Sequence, residues 1–277
     1  MRIKDLYSPR PDYSVCIVTY NSEKDIEECL GSVIENTGGR CDICVVDNAS
    51  TDHTVEIIAE SFSGITVIKN DTNRGFSAAT NQAIAATRGE YVIMLNPDTI
   101  VHPLWADRMR AHMDAQPRVG AVGPMSTNCI GYQSIKTYNW APEDVLANAG
   151  AYTQKDLLIG FCLMTRRRII GEIGGLDELL FLGNDDLEFC WRLKVYGFKC
   201  ILAHDAFIEH KLGQSFKSNS KSTELVQEST DQLYRKLDEY FNGNAPSGFT
   251  LWGIPWFKPS QGVIDECRNK RLAKNNI

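Results

Sequence analysis

Apolar and polar residues follow two different rhythms between residues 13 and 96 of the chain. Four short segments are dominated by apolar residues, and three longer segments between them carry an apolar residue every three to four positions. The first rhythm is typical of buried strands and the second of amphipathic helices. Four strands alternating with three helices predict a parallel sheet with helices on both faces. The predicted strands are YSVCIVTYN, CDICVVDNAS, ITVIKN and YVIMLN.

The same pattern predicts helix ends and later elements. Ser22 is the expected N-cap of the first helix, which Gly38 and Gly39 end. Residues 157–165 and the segment KCILAHDAFI predict two further strands. Near the C-terminus, STELVQESTDQLYRKLDEYFNG predicts an amphipathic helix. Its apolar positions are Leu225, Leu233, Leu237 and Tyr240.

Polar side chains follow the predicted strands at the end where open parallel sheets bind ligands. They are Thr19, Tyr20, Asn21, Asp47, Asn48 and the run from Asn96 to Asp98. No G-x-G-x-x-G follows the first strand and no GxxxxGK[ST] occurs, so neither a Rossmann dinucleotide site nor a P-loop is supported. Asp98 beside a proline either holds a hard divalent cation that bridges a diphosphate or caps a turn that ends the strand.

Two adjacent acids, Asp185 and Asp186, stand at the entrance of a predicted helix after a glycine-rich approach. One interpretation is helix capping, because carboxylates near an N-terminus satisfy free N–H groups. The other is a catalytic carboxylate with supporting neighbours, a set that includes Glu188. Since one acid suffices for capping, the pair favours the catalytic interpretation.

Composition narrows the function classes. The 277 residues, 43% of them hydrophobic, are enough for one large α/β domain, and a net charge of -6 argues against a surface that coats nucleic acid. Among nine cysteines the C-x-x-C of Cys41 and Cys44 has no second copy, which favours buried thiols over a zinc site. No apolar run reaches the roughly 18 residues that span a bilayer. The charged N-terminal stretch also lacks a signal-peptide core, so we expect a cytoplasmic protein, with the inner face of the membrane as an alternative location.

Six motifs occur in a fixed order: VCIVTYNSEKDIEECLGSV, ICVVDNASTD, NRGFSAATNQAIAATRGEYVIMLNPDT, GFCLMTRRRIIGEIGGLDE, NDDLEFCWRLKVYGFK and IEHKLGQS. Together they resemble the family-2 inverting glycosyltransferases of GT-A fold, over about residues 13 to 216. NPDT, in place of a two-acid D-x-D, is most similar to the rhamnosyltransferase-like branch. The resemblance implies an α/β fold with a mostly parallel central sheet. It also implies a donor half (about 13–124) and an acceptor half (about 125–216). Beyond the resemblance, the residue pattern predicts a helical and aromatic extension (217–277) packed on the same domain.

The resemblance also implies roles for individual residues. Asp186 matches the general base, with Asp185, Glu188 and Gly160 beside the acceptor. Asp98 and His210 would hold Mg²⁺ or Mn²⁺, while Asn96, in the slot of the first D-x-D acid, supplies no full charge. The implied donor-binding residues are Thr19, Tyr20, Asn21, Asp47, Asn48, Arg74, Gly75, Asn81 and Asn96.

Asp47 matches an acid that accepts a hydrogen bond from the nucleobase. A carboxylate only accepts; uracil and thymine present a ring N3–H and guanine an N1–H, whereas cytosine and adenine present an unprotonated ring nitrogen. We therefore expect dTDP or UDP, ahead of GDP, and rejection of CDP and ADP. The alternative is that Asp47 caps the helix after Ser50.

The expected activity is inverting transfer of a sugar from a dTDP- or UDP-sugar to an acceptor hydroxyl, in cell-surface polysaccharide or other glycan assembly. The acceptor would be a glycan, a lipid-linked sugar or a protein, with no nucleic acid partner. One alternative is a non-catalytic nucleotide-sugar binding module. Another is a sugar-nucleotide nucleotidyltransferase, which should carry a glycine-rich basic loop where this chain has TYNSEKD. The aromatic stretch 248–262 is expected in the core, with a peripheral membrane contact or a homodimer interface as alternatives.

Overall fold

The first four strands pair in parallel and alternate with three helices, which confirms the predicted architecture of this half of the chain. A computed structural model describes residues 10–129, 131–211, 220–242 and 257–275. The strands lie in the order β3, β2, β1, β4, with every pair parallel. The elements are β1 (Tyr13–Thr19), α1 (Ile26–Asn36), β2 (Cys41–Asp47), α2 (Thr54–Ser61), β3 (Thr66–Lys69), α3 (Phe76–Ala86) and β4 (Tyr91–Leu95).

The second half of the chain extends this sheet with strands of both directions. The following elements are β5 (Thr99–Val101), α4 (Trp105–Ala115), β6 (Val119–Ser126), α5 (Pro142–Ala147), β7 (Tyr152–Lys155), β8 (Cys162–Arg166), α6 (Arg167–Ile173), α7 (Asp185–Val195), β9 (Lys199–His210), α8 (Ser220–Tyr240) and α9 (Gln261–Asn275). Within the described residues the sheet has nine strands, in the order β3-β2-β1-β4-β8-β6-β9-β5, with β7 paired to β9. Strand β8 is antiparallel to β4, and β6 and β9 are parallel to each other.

The core lies on both faces of the sheet. All seven residues of β1 are buried, as expected for a parallel strand covered by helices on either side. Alternate side chains of β1 therefore belong to different apolar clusters: Cys16 and Val18 to one, and Val15 and Ile17 to the other. Polar side chains of the candidate site described below lie at the carboxyl ends of the parallel strands.

Three predicted boundaries are wrong. Helix α1 begins at Ile26 after Asp25, because Ser22 lies in a preceding turn and its own N–H donates to Thr54 Oγ1. The strand predicted at 157–165 covers only 162–166. Residues 157–161 are buried or half-buried but leave the sheet, since the N–H groups of residues 158–160 donate to side chains of other segments. Strand β9 extends to His210, beyond its predicted end.

The predicted helical C-terminal region is confirmed. Leu233 and Leu237 of α8 are buried, whereas Tyr240 is half exposed, contrary to its predicted place on the apolar face. Phe257, Val263 and Cys267 pack in the same apolar cluster, and α9 was not predicted. Residues 243–256, which include most of the aromatic stretch, lie outside the described residues. Among the helices described here, none combines the length and the apolar character needed to cross a membrane.

Candidate active site

Hydrogen bonds to Asp47 join the carboxyl ends of β1 and β2. Its Oδ1 accepts from Thr19 Oγ1 at 2.9 Å and from Ser50 Oγ at 2.5 Å, and its Oδ2 accepts from the Ser50 N–H at 3.0 Å. Because an ionised carboxylate offers about four lone-pair positions, one acceptor position remains on this side chain, at Oδ2. Helix α2 begins at Thr54 with His53 as its N-cap, so Asp47 does not cap that helix.

The loop after β1 is fixed against the loop after β2. Asn21 has a left-handed backbone conformation with φ of 55°. Its N–H donates to Ser50 Oγ at 2.9 Å, and its Oδ1 accepts from the Thr51 N–H at 2.8 Å. Tyr20, beside it, is 51% exposed. These hydrogen bonds fix the loop that presents the exposed aromatic ring of Tyr20.

Asn48 supports the crevice from within. Its side chain is buried; Nδ2 donates to the Gly75 carbonyl at 3.0 Å and Oδ1 accepts from Asn70 Nδ2 at 2.9 Å. Gly75 has φ of +84°, and a Cβ there would lie 2.8 Å from Phe181. Both residues therefore hold the turn before α3, which presents an exposed Arg74. In the described part of the chain, no side chain pairs with the Arg74 guanidinium.

Asn81 binds the segment that precedes the acid pair. Its Nδ2 donates to the Leu176 carbonyl at 2.9 Å and to Glu178 Oε1 at 3.0 Å, and its Oδ1 accepts from the Leu176 N–H at 2.9 Å. The expected role of Asn81 in donor binding stays a prediction. Asn81 instead anchors the segment that leads to the acid pair.

Asp98 and His210 lie side by side where β4 ends. Residue 99 is paired with His210 in the β5–β9 ladder, which brings Asp98 Oδ1 to 3.4 Å from His210 Nε2. The imidazole stacks on Phe161 with ring centroids 5.0 Å apart, and both Asp98 and His210 are buried. Asn96 is half-buried and precedes Asp98 by two residues. Its carbonyl accepts from Thr99 Oγ1 at 2.7 Å.

This pair fits a divalent cation on chemical grounds. His210 Nδ1 is 3.0 Å from the carbonyl of Asn128, and because a carbonyl only accepts, Nδ1 carries a proton. Nε2 is therefore the ring nitrogen that faces the Asp98 carboxylate oxygen, and a cation between the two would have one nitrogen and one oxygen ligand. A backbone carbonyl that orients the other ring nitrogen is common for metal-bound histidine. Within the described ranges no cluster of three His, Cys, Asp or Glu side chains is placed to hold a metal ion.

The acid pair begins α7, directly after Asn184 in a left-handed conformation with φ of 63°. Asp186 Oδ2 accepts from the Gly160 N–H at 2.9 Å and Oδ1 accepts from the Leu187 N–H at 2.8 Å. The Asp185 side chain is 9% exposed and accepts a hydrogen bond from its own backbone N–H. Asp186 is therefore bound to another segment through Gly160, whereas Asp185 keeps more open acceptor positions.

The environment favours proton uptake by the acid pair. Burial, and then the neighbouring Asp186 carboxylate, raise the pKa of Asp185 to about 7. Burial also raises the pKa of Asp186, while the N–H groups of Gly160 and Leu187 act in the opposite direction. A carboxylate of raised pKa in a crevice suits general acid–base chemistry near neutral pH.

A two-residue turn joins the acid pair to the Asp98–His210 pair. Gly160 donates to Asp186, and Phe161, the next residue, stacks on His210. The Phe161 carbonyl also accepts from the Asn96 N–H at 2.9 Å. The two groups of candidate residues thus lie on either side of one turn.

Residues 14–174, more than half of the chain, match the model of Glycosyl transferase family 2. The chain belongs to this family. It is therefore a glycosyltransferase, and the resemblance carried by the six motifs is confirmed.

Relatives of known name match over different shares of the chain. The N-acetylglucosaminyl-diphospho-decaprenol L-rhamnosyltransferase of Mycobacterium tuberculosis is 27% identical over 94% of this chain and 95% of its own length. The succinoglycan biosynthesis protein ExoO of Rhizobium meliloti is also 27% identical, over 67% of this chain and 53% of its own.

Solved structures confirm the GT-A fold. The mannosyltransferase PcManGT from Pyrobaculum calidifontis, in complex with GDP-Man and Mn²⁺, has a TM-score of 0.62 at 20% identity and covers 96% of this chain and 75% of its own. TarS 1-349 of S. aureus, in complex with UDP-GlcNAc, has a TM-score of 0.58 at 18% identity and covers 94% and 80%.

Glu188 was expected beside the acceptor, but the structure places it in an ion-pair network behind the site. It is fully buried, and its carboxylate lies 2.6 Å from Arg192 Nη2 and 2.5 Å from Lys236 Nζ. Both of its oxygens accept from Arg192, and Oε1 also accepts from Lys236. These bonds tie the first turn of α7 to α8, and the expected place of Glu188 beside the acceptor stays a prediction.

The sequence interpretation missed the cations that bind Glu188. Arg192 follows Glu188 by four positions in a predicted helix, a spacing that brings opposite charges together, and this signal was available. Lys236 is 48 residues away from Glu188 in the sequence and no local pattern marks it.

Proposed function

We propose that this glycosyltransferase inverts the anomeric centre and moves a sugar from a dTDP- or UDP-sugar to an acceptor hydroxyl. The observation that supports this most is the turn at Gly160 and Phe161, with a held carboxylate on one side and the Asp98–His210 pair on the other. One group is suited to take a proton from the acceptor and the other to the charge of the leaving diphosphate.

Asp186 is the proposed general base. Each of its oxygens accepts one backbone N–H, which fixes the carboxylate and leaves further lone pairs for an acceptor hydroxyl. In the step, the acceptor oxygen forms a bond to the anomeric carbon while its proton passes to Asp186. The bond from that carbon to the diphosphate oxygen breaks, and the nucleoside diphosphate leaves. A single displacement of this kind inverts the configuration.

Asp98 and His210 are the residues proposed to hold Mg²⁺ or Mn²⁺. A bound divalent cation would neutralise charge on the diphosphate, whose oxygens suit such a hard ion. Two protein side chains leave other positions for phosphate oxygens and water. Because Asn96 is uncharged, Asp98 is the acidic ligand that NPDT supplies.

Asp47 and Arg74 are the proposed contacts for the nucleotide. The remaining acceptor position of Asp47 suits the N3–H of uracil or thymine, and Thr19 and Ser50 hold the carboxylate in place. The exposed guanidinium of Arg74, at the turn that Asn48 fixes, suits a phosphate or the base edge. Tyr20 offers a ring at the same edge.

The mycobacterial relative, similar over nearly its whole length, guides the choice of sugar and acceptor. Its name gives an L-rhamnosyl group and a lipid diphosphate that carries N-acetylglucosamine. We propose a deoxyhexose or hexose donor and an acceptor of the glycan or lipid-linked kind, in the assembly of a surface polysaccharide.

Nucleotide release tests the proposal. The protein is incubated with Mn²⁺ and, separately, dTDP-L-rhamnose, UDP-glucose, UDP-N-acetylglucosamine, GDP-mannose and a CDP-sugar. We expect slow release of dTDP or UDP by donor hydrolysis, and faster release when N-acetylglucosaminyl diphosphoprenol is added. Binding of a donor without release under any condition would favour a non-catalytic binding module and contradict the proposed transfer.

A further inference from the structure

The acid pair is reached through a segment, residues 174–184, that contains no helix or strand. Eleven consecutive residues without a ladder of their own take their position from neighbouring elements. On one side this segment is bound by α3. The contacts there are Asn81 with Leu176, Ser77 Oγ to the Leu180 carbonyl at 3.0 Å, and the Phe76 N–H to the Phe181 carbonyl at 3.0 Å.

On the other side the same segment is bound by the C-terminal helix α8. The Leu182 N–H donates to Ser229 Oγ at 3.1 Å, and Asn184 Nδ2 donates to Thr230 Oγ1 at 2.9 Å. Both hydroxyl residues are buried. A helix from outside the region that the six motifs cover therefore touches the residue that immediately precedes the acid pair.

Lys236, also on α8, bridges the two ends of this connection. Its Nζ is 2.7 Å from Asp177 Oδ2, near the start of the segment, and 2.5 Å from Glu188 Oε1, in the first turn of α7. Glu188 is fully buried, whereas the Lys236 side chain is 37% exposed. The ammonium group thus links the start of the segment to the first turn of α7.

The charges in this network balance. Arg192 and Lys236 face Asp177 and Glu188, and Arg192 also donates to the carbonyls of Ile173 and Gly175 at 2.7 Å each. Removing one cation from a buried carboxylate destabilises the folded state, because the ion pair offsets the cost of taking the carboxylate out of water. Loss of Lys236 would therefore displace the first turn of α7, where Asp186 lies two residues before Glu188.

We propose that Lys236 is a positioning residue for the transfer reaction: its bridge between Asp177 and Glu188 holds the Asp186 carboxylate against Gly160. This inference rests on the proposed function, because it assigns the base role to Asp186. Lys236 contacts neither the nucleotide end of the sheet nor the Asp98–His210 pair. Its loss is expected to affect turnover and to leave nucleotide binding intact.

The test compares Lys236→Met with Lys236→Arg and with Arg235→Met. Arg235 is the matched control, since it is the preceding residue of α8 and pairs with Glu266 of α9. Nucleotide release is measured with the donor that the wild-type protein hydrolyses, and dTDP and UDP affinities are measured by calorimetry with Mn²⁺. For Lys236→Met we expect kcat to fall on the order of tenfold to a hundredfold, since a displacement of about 1 Å has effects of this size. Nucleotide affinity should stay within about twofold.

Lys236→Arg keeps the positive charge and should retain most of the turnover, while Arg235→Met should match the wild-type kcat. Full turnover in Lys236→Met, or an equal loss in Arg235→Met or Lys236→Arg, would overturn the proposal. If Lys236→Met does not fold, Lys236→Gln replaces it in the same comparison. Asp186→Asn separates the two levels: normal turnover in that variant would reject the proposed base, whatever Lys236 does.

Discussion

The backbone N–H of Gly160 donates a 2.9 Å hydrogen bond to Asp186 Oδ2, and the two residues are 26 positions apart in the sequence. A Cβ on residue 160 would lie 3.2 Å from the Cβ of Asp186 and 3.5 Å from Asp185 Oδ2. The first distance is tighter than an ordinary van der Waals contact. The absence of a side chain at position 160 therefore lets the backbone approach the carboxylate closely enough to bind it.

Gly160→Ala should lower kcat for nucleotide release by roughly tenfold, because the added methyl group displaces the carboxylate from its donor. The matched control is Gly171→Ala, since a Cβ at Gly171 in helix α6 has no neighbour within 4 Å. Steady-state kinetics of both variants check this. Equal kcat in Gly160→Ala and Gly171→Ala would show that the close approach is irrelevant to the reaction.

Asp186→Asn should lower transfer by about a hundredfold or more, since the amide has the shape of the carboxylate but cannot take the acceptor proton. The dissociation constant for dTDP or UDP should remain close to that of the wild type. Asp185→Asn is measured beside it, because Asp185 has the less occupied carboxylate. A loss confined to Asp185→Asn would move the base role to that residue.

Stability should depend on pH through Asp185. Its pKa is raised from 3.8 to about 7 in the folded state, so folding favours the protonated form. The ionised carboxylate therefore penalises the fold fully above about pH 7, and the penalty fades as the pH falls toward 4. Asp185→Asn removes this ionisation and should have a higher Tm than the wild type at pH 8, with the difference shrinking toward pH 4. Thermal denaturation across this range checks the trend; a difference that grows on acidification would contradict it.

Asp98→Ala should weaken Mn²⁺ binding measured by calorimetry in the presence of UDP, because the diphosphate loses its bridge to the protein. His210→Ala should act in the same direction. His102→Ala is the control, since His102 contacts Glu209 on the same strand ladder without touching Asp98. Unchanged Mn²⁺ affinity in Asp98→Ala and His210→Ala would remove this pair from consideration as ligands.

Local patterns in the sequence predicted the positions of the first four strands and the three helices between them. The four parallel strands follow from their apolar runs, and the placement of Asp47 and Asp98 at strand ends follows from the sheet itself. The strand at 157–165 was predicted too long because an apolar run does not show where its N–H groups bind. In that segment they bind Gln133, Cys190 and Asp186.

The observed partners of two expected site residues were not predicted, for the same reason. Asn81 and Glu188 carry side chains that suit a substrate as well as a neighbouring segment, and only the fold shows which partner is near. Asn81 binds residues 95 and 97 positions away, and Glu188 binds Lys236 at a separation of 48. Contacts at such separations leave no periodicity in the sequence.

The proposed nucleobase preference rests on one open acceptor position of Asp47. The hydroxyls of Thr19 and Ser50 and the Ser50 N–H occupy three acceptor positions of Asp47. A carboxylate binds only groups that carry a donor proton. In the proposed role, the remaining position on Oδ2 would accept the N3–H of uracil or thymine, or the N1–H of guanine, and would repel the bare ring nitrogen of cytosine or adenine. Calorimetric titration of UDP, dTDP, GDP, CDP and ADP, each with Mn²⁺, should therefore show tight binding of UDP and dTDP and weak binding of CDP and ADP. Asp47→Ala removes this acceptor and should narrow the difference between UDP and CDP. Binding of CDP to the wild-type protein as tightly as UDP would show that Asp47 does not distinguish the bases.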